Sequence, residues 1–265
     1  MLGFGALMTK YKSIFISDVH LGSKGCKAEL LSDFLKENTC ENLFLVGDII
    51  DGWRLKRKFF WLQSHTDVIR KILKAAKNGT KVTYVVGNHD DSFRDLLPYD
   101  IHFGNIELVN QCRYNAVNGK RYMVIHGDMF DAALATKLSW LYHVGDWFYD
   151  VLLSINHILN KLRTKLNMPY WSLSAYLKNK TKEAVAFMSD FEVLITDYCR
   201  KYNTQGVICG HVHKAAIKEI NGIEYMNDGD WVESCTALVE NHDGSWEIVN
   251  YLHNINKSNK IEKFS

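Results

Sequence analysis

Five short apolar runs, each closed by Asp, His or Asn, dictate what this chain can fold into. They are Ile14 to Ile16 before Asp18-Val19-His20, Leu43 to Val46 before Gly47-Asp48, and Val82 to Val86 before Gly87-Asn88-His89-Asp90. Two more follow: Met123 to Ile125 before His126-Gly127-Asp128, and Gly206 to Cys209 before Gly210-His211-Val212-His213. Each run is rich in β-branched or apolar residues and stopped by Gly or a polar residue, which reads as a buried strand reaching a loop. Open α/β sheets bind ligands outside the carboxyl ends of their strands. One Asp-x-His or one His-x-His is an ordinary surface pair. Five such tips in order point to one site.

Helical spacing fills the gaps. Glu29 to Lys36 and about Asp67 to Lys77 each carry an apolar face, with Asn78-Gly79 as a stop. This β-α-β-α-β order predicts a largely parallel sheet covered by helices. Closely spaced strands follow at Asn105 to Val109, Cys112 to Val117 and Arg121 to Ile125, with a hairpin turn at Asn118-Gly119. Antiparallel pairs are expected again across Asn221-Gly222 and Asp243-Gly244. Between the fourth and fifth tips lies a helical, aromatic stretch from Trp140 to Leu162, then a second helical pattern through Val185, Met188, Phe191, Ile195 and Tyr198. Seven Lys or Arg stand against two acids from Lys137 to Lys182. The expected organisation is a catalytic domain over 9–130 and 206–253, a helical cap insertion over 131–205, and a flexible tail over 254–265.

At 265 residues the chain can bury a sizeable core. A net charge of +2 leaves any preference for anions to local clusters. Six cysteines with no Cys-x-x-Cys exclude a zinc ribbon and read as cytosolic thiols. Leu2 to Met8 lacks the basic start and cleavage site of a signal peptide, and no apolar run reaches the roughly 18 residues of a membrane span, so a cytoplasmic protein is expected.

Nitrogen and oxygen donors without thiolates suit a pair of first-row dications. A bridging carboxylate is needed between two such ions, and Asp48 is the expected bridge. Asp18 and Asp48 offset only part of that charge, so the site would attract phosphoryl oxygens and activate a water for attack on phosphorus. His89 is the candidate imidazole for the leaving oxygen, oriented by its neighbour Asp90. The run Arg54-Leu55-Lys56-Arg57-Lys58 begins six residues from Asp48. It makes Arg54 and Arg57, with Trp53, candidate contacts for substrate phosphates or anionic headgroups. No nucleic-acid-binding motif accompanies the basic residues.

Asp18-Val19-His20, Gly47-Asp48-Ile49-Ile50-Asp51, Gly87-Asn88-His89-Asp90, His126-Gly127-Asp128 and Gly210-His211-Val212-His213 together resemble the motif set of the calcineurin-like metallophosphoesterases. That resemblance implies an α/β/β/α sandwich of two mixed sheets. It also implies one metal held by Asp18, His20, Asp48 and His213 and a second by Asp48, Asn88, His126 and His211. Asp51 carries no ligand role in that pattern and is expected to orient a neighbour. Ile16 to Gly22, Gly47 to Trp53 and the helical insert are further similar to the UDP-2,3-diacylglucosamine pyrophosphatase branch. What this branch implies is cleavage of UDP-2,3-diacylglucosamine to 2,3-diacylglucosamine 1-phosphate (lipid X) and UMP in lipid A biosynthesis. The reaction typically uses manganese, with iron or zinc as alternatives here, at the cytoplasmic face of the inner membrane. Best-known members of the branch have Arg where this chain has His89, which keeps a phosphodiesterase or phosphatase for a soluble nucleotide in play. A non-catalytic binding scaffold is the third reading, and the complete ligand set argues against it.

Overall fold

The computed structural model describes residues 9–99, 102–134 and 182–253. Strands β1 (Thr9–Ile16), β2 (Asn38–Val46) and β3 (Lys81–Val85) alternate with helices α1 (Ala28–Glu37), α2 (Gly52–Arg57) and α3 (Gln63–Lys77). Then come β4 (His102–Phe103), β5 (Ile106–Val109), β6 (Gln111–Asn115) and β7 (Arg121–Ile125), and helix α4 (Lys182–Lys201). The chain closes through β8 (Gly206–Cys209), β9 (Ala216–Ile220), β10 (Ile223–Asn227), β11 (Thr236–Glu240) and β12 (Trp246–Asn250). A seven-stranded sheet has the order β12-β11-β1-β2-β3-β5-β4, and a five-stranded sheet has the order β6-β7-β8-β10-β9. Both are mixed. β1, β2, β3 and β5 run parallel, as do β7, β8 and β10, while hairpins form the edges.

The period-2 alternation of strands decides which layer each side chain fills. Ile14 and Ile16, Leu43 and Leu45, and Val82 and Tyr84 turn outward with Leu31, Phe34, Val68 and Ile72 of α1 and α3. Phe15, Phe44, Val46 and Val85 turn inward to meet Tyr122, Val124, Ile208 and Met226 of the second sheet. The central strands are therefore buried on both faces, which is why they read as unbroken apolar runs. Tyr198 and Arg200, in the last turn of α4, donate to Gln111 and to the Asn221 carbonyl at the edges of the five-stranded sheet.

Helix α1 matches its predicted span within two residues, and α3 begins one turn earlier than its periodicity indicates. Helix α2 was not expected: its basic composition masks it, and the Asp51 side chain caps it by accepting from Arg54 N. The second helical pattern of the insert is α4, whereas Trp140 to Leu162, the first eight residues and the tail from Asn254 lie outside the described residues. All six cysteines are free thiols.

By contacts the chain divides into one unit of residues 1–128 with 196–265, which holds both sheets, and a second of residues 129–195. In the second, the rings of Phe130 and Phe191 meet edge to face at 6.2 Å. Among the described residues no helix is long and apolar enough to cross a membrane.

Candidate metal centre

The loop after β1 is laced to the loop after β2 by backbone bonds. Asp18 N donates to Gly47 O (3.1 Å), His20 N to Asp48 O (2.9 Å), Leu21 N to Ile49 O (2.9 Å), and Asp51 N returns to Leu21 O (2.8 Å). This ladder sets Asp18, His20 and Asp48 side by side. It also holds them in the left-handed region, with φ of 51°, 53° and 54°, and His211 and His213 share it at 68° and 53°. A non-glycine residue in such a sparsely populated conformation costs about 1–3 kcal/mol, and that cost persists only where the surroundings over-determine it. Five of the seven predicted donors carry it. Gly47, at φ 82°, passes under the His126 ring, where any side chain would collide.

All seven donors come from the carboxyl ends of β1, β2, β3, β7 and β8, three strands from one sheet and two from the other. Asp18 Oδ1 lies 3.2 Å from His213 Nε2 and 3.9 Å from His20 Nε2. Asp48 Oδ2 lies 3.9 Å from His20 Nε2 and 3.4 Å from His126 Nε2, and His126 Nε2 is 3.2 Å from Asn88 Oδ1. Asp48 thus faces both clusters. Its Oδ2 is the oxygen turned to them, while Oδ1 accepts from the His89 backbone N–H at 2.8 Å. His126 and His211 meet edge to face at 5.1 Å.

The donor atoms of Asp18, His20 and His213, and of Asp18, Asp48 and His126, lie close enough together in each set to hold a metal ion. Asp18 Oδ1 is buried with no hydrogen-bond partner among the described residues. A buried, unpaired carboxylate oxygen is costly unless a cation compensates it, so these residues fit divalent ions. Charges within the site reinforce one another. Burial disfavours the Asp48 anion, yet His126, His20 and His89 hold its carboxyl well below the usual range. Burial likewise disfavours the His126 imidazolium, but Asp48 and Asp18 hold that ring well above the ordinary value.

His89 is placed as predicted but oriented differently. Its Nδ1 lies 3.0 Å from Asp51 Oδ1 and its Nε2 4.0 Å from Asp48 Oδ2, so the free edge of the ring faces the cluster. Asp90, the expected orienting group, turns away. It accepts from Gly87 N (2.6 Å), Ile49 N (3.0 Å) and the Tyr84 hydroxyl (2.6 Å), and so clamps the β2 and β3 tips together. The reason is local: the turn at Gly87 to Asp90 is closed by its own last residue. Asp51 also accepts from Arg54 Nε (3.1 Å), which ties that predicted substrate contact into the site wall. Trp53 lies over the His89 ring at 4.5 Å and 33°, and Arg57 is exposed.

Among the buried polar residues given no role in the sequence reading are Ser17 and Asp228, which lie behind Asp18. The signal was partial: Ile223 to Met226, apolar but for Glu224, is a further strand with the tip Asn227-Asp228, and β10 is parallel to β8.

A family model for calcineurin-like phosphoesterases matches residues 11–215. The chain belongs to that family. Its members are metal-dependent phosphoester hydrolases, and the geometry supplies candidate metal-binding residues at the expected tips. Similar curated proteins include the UDP-2,3-diacylglucosamine hydrolase of Neisseria gonorrhoeae, 26% identical over 240 residues, spanning 86% of this chain and 92% of that protein. The protein of the same name from Haemophilus influenzae is 22% identical over 241 residues, spanning 86% and 94%. Among solved structures, the chain is similar to a Vps29 mutant from Entamoeba histolytica (TM-score 0.40, 14% identity, 89% and 96% covered). A described archaeal phosphodiesterase has a TM-score of 0.42 at 11% identity, with 89% and 98% covered.

Proposed function

We propose that this calcineurin-like phosphoesterase hydrolyses the phosphoanhydride of UDP-2,3-diacylglucosamine to 2,3-diacylglucosamine 1-phosphate and UMP. The observation that carries this reading is the similarity, across most of both chains, to proteins named for that substrate, joined to a site whose donors converge on Asp48. In this reading Asp18, His20, Asp48 and His213 hold one divalent ion and Asp48, Asn88, His126 and His211 the other, with manganese the first choice and iron or zinc as alternatives. Two such ions supply positive charge for phosphoryl oxygens and an acidified water as nucleophile.

The chain's own residues do the rest. Asp51 accepts from Nδ1 of His89 and orients the ring, which leaves Nε2 to donate to the leaving oxygen. Trp53 walls that ring from one side. Lys56, Arg57 and Lys58 are exposed beside Phe59, which is 77% exposed, and this basic and aromatic edge suits peripheral contact with an anionic membrane from the cytoplasmic side. The apolar and aromatic composition of Trp140 to Leu162, within the insert over 131–205, suits acyl chains.

Hydrolysis of UDP-2,3-diacylglucosamine, measured beside bis-p-nitrophenyl phosphate with manganese-loaded and metal-stripped protein, tests the proposal. Metal-dependent release of UMP from the lipid substrate is expected. Cleavage of the artificial diester alone would instead favour the second reading, a phosphodiesterase for a soluble nucleotide, for which His89 at the third tip is the motivating residue.

A further inference from the structure

Ser17 and Asp228 stand 211 residues apart in sequence and meet behind Asp18. Ser17 Oγ lies 2.6 Å from Asp18 Oδ2, 2.5 Å from Asp228 Oδ1 and 3.2 Å from the Gly229 carbonyl. All three neighbours are acceptors, and a serine hydroxyl has one proton to give. Two short contacts to carboxylates therefore need a second proton. Asp18 already has other partners: its Oδ2 also accepts from His211 N at 2.8 Å, and its Oδ1 faces two imidazoles. Asp228 is fully buried, makes no ion pair among the described residues, and leaves Oδ2 without a hydrogen-bond partner there. A lone buried carboxylate is far costlier than a neutral acid, so the proton belongs on Asp228. In keeping with this, burial pushes the Asp228 carboxyl well above the ordinary range.

We infer that Asp228 and Ser17 are positioning residues that donate in series, Asp228 to Ser17 Oγ and Ser17 to Asp18 Oδ2, and so fix Asp18 to offer Oδ1 alone to a metal ion. The device steers a ligand without adding negative charge to a site that must attract phosphate. Its frame is built for the purpose. Trp231 N donates to Asp18 O (3.1 Å), Asn227 Nδ2 to the Gly210 carbonyl (2.6 Å), and Thr236 Oγ1 to the Asp228 carbonyl (2.8 Å), so the β10 tip is pinned to the β1 and β8 tips from behind. A side chain at Gly210 would collide with Ser17 Oγ and Asp18 Oδ2, so that glycine leaves the relay its room.

The inference rests on the reading of Asp18 as a metal ligand, and manganese binding by calorimetry on the full chain separates the two. D18A, S17A, D228A, D228N and the S17A/D228A pair would be compared, with melting temperature in chelator as the control for folding. S17A and D228A are each expected to weaken manganese binding by roughly 10- to 100-fold, the usual effect of removing a group that orients a ligand. The double variant should be little worse than either single one, because both act through one chain of bonds. D228N keeps a donor for Ser17 without a charge and should bind manganese within about threefold of the parent protein. Should D228N bind as poorly as D228A while melting like the parent protein, Asp228 acts as an anion and the relay is overturned. Unchanged binding in both S17A and D228A overturns it as well. Unchanged binding in D18A would instead overturn the ligand reading, and the relay with it.

Discussion

His89 Nδ1 lies 3.0 Å from Asp51 Oδ1, and that bond, rather than one to the adjacent Asp90, sets the ring that faces the metal cluster. His89→Ala should therefore lower turnover by about 10²- to 10⁴-fold, the usual worth of a positioned acid or base. Manganese content should stay near that of the parent protein. Asp51→Asn should lower turnover by a smaller factor, since a neutral amide supports the ring less well. Turnover on bis-p-nitrophenyl phosphate with metal analysis on the same samples checks both; loss of both metals in His89→Ala would make the ring structural.

Asp48 Oδ2 lies 3.9 Å from His20 Nε2 and 3.4 Å from His126 Nε2. Asp48→Ala removes the carboxylate expected to bridge the two ions. Both metal stoichiometry and turnover are expected to collapse, turnover by roughly 10³-fold or more when two-ion catalysis is lost. A variant that kept two ions and near-full turnover would refute the two-metal reading.

His65 is buried, and its Nδ1 accepts from Gly22 N at 3.2 Å and lies 3.4 Å from Leu62 N. Burial lowers its pKa from the ordinary value, so folding favours the neutral ring. The sign follows. The stability it contributes is complete above the unfolded value of about 6.5 and is lost as pH falls from there through the lowered folded value. Thermal melts of the parent protein should drop more between pH 7.5 and pH 5.5 than those of His65→Asn, whose side-chain oxygen accepts the same N–H but cannot titrate. Equal drops would remove His65 from the pH response.

Phe15 is fully buried between the sheets, stacked on Phe44 at 4.6 Å and edge-on to Tyr114 at 5.5 Å. Phe15→Ala should cost about 3–5 kcal/mol of stability, the range for emptying a buried aromatic site. Urea denaturation with an unchanged m-value and a lowered midpoint would show it, and a loss under about 1 kcal/mol would mean that the seam can collapse around the gap.

What was legible in the sequence was whatever is encoded over a few neighbouring residues. Unbroken apolar runs mark strands buried on both faces, and the polar residue that ends each run must stand at its tip, so β1, β2, β3, β7 and β8 and their polar tips could be named from the chain alone, while the ligand sets came from the family resemblance. The hairpins at Asn118-Gly119, Asn221-Gly222 and Asp243-Gly244 were equally local, since turn residues act over four positions. Tertiary structure decided the rest, because it depends on which tips become neighbours. The β1 and β2 loops had to be laced together before Asp18, His20 and Asp48 could be held at left-handed φ. Asp51 won His89 from Asp90 because Asp90 closes its own turn and reaches across to Ile49 N. Ser17 found Asp228 only because β10 was laid beside β8, with its carboxyl end at the same edge of the sandwich. Hydrogen bonds reach about 3 Å whatever the distance along the chain, so partners such as these are chosen by strand order, which no local pattern records.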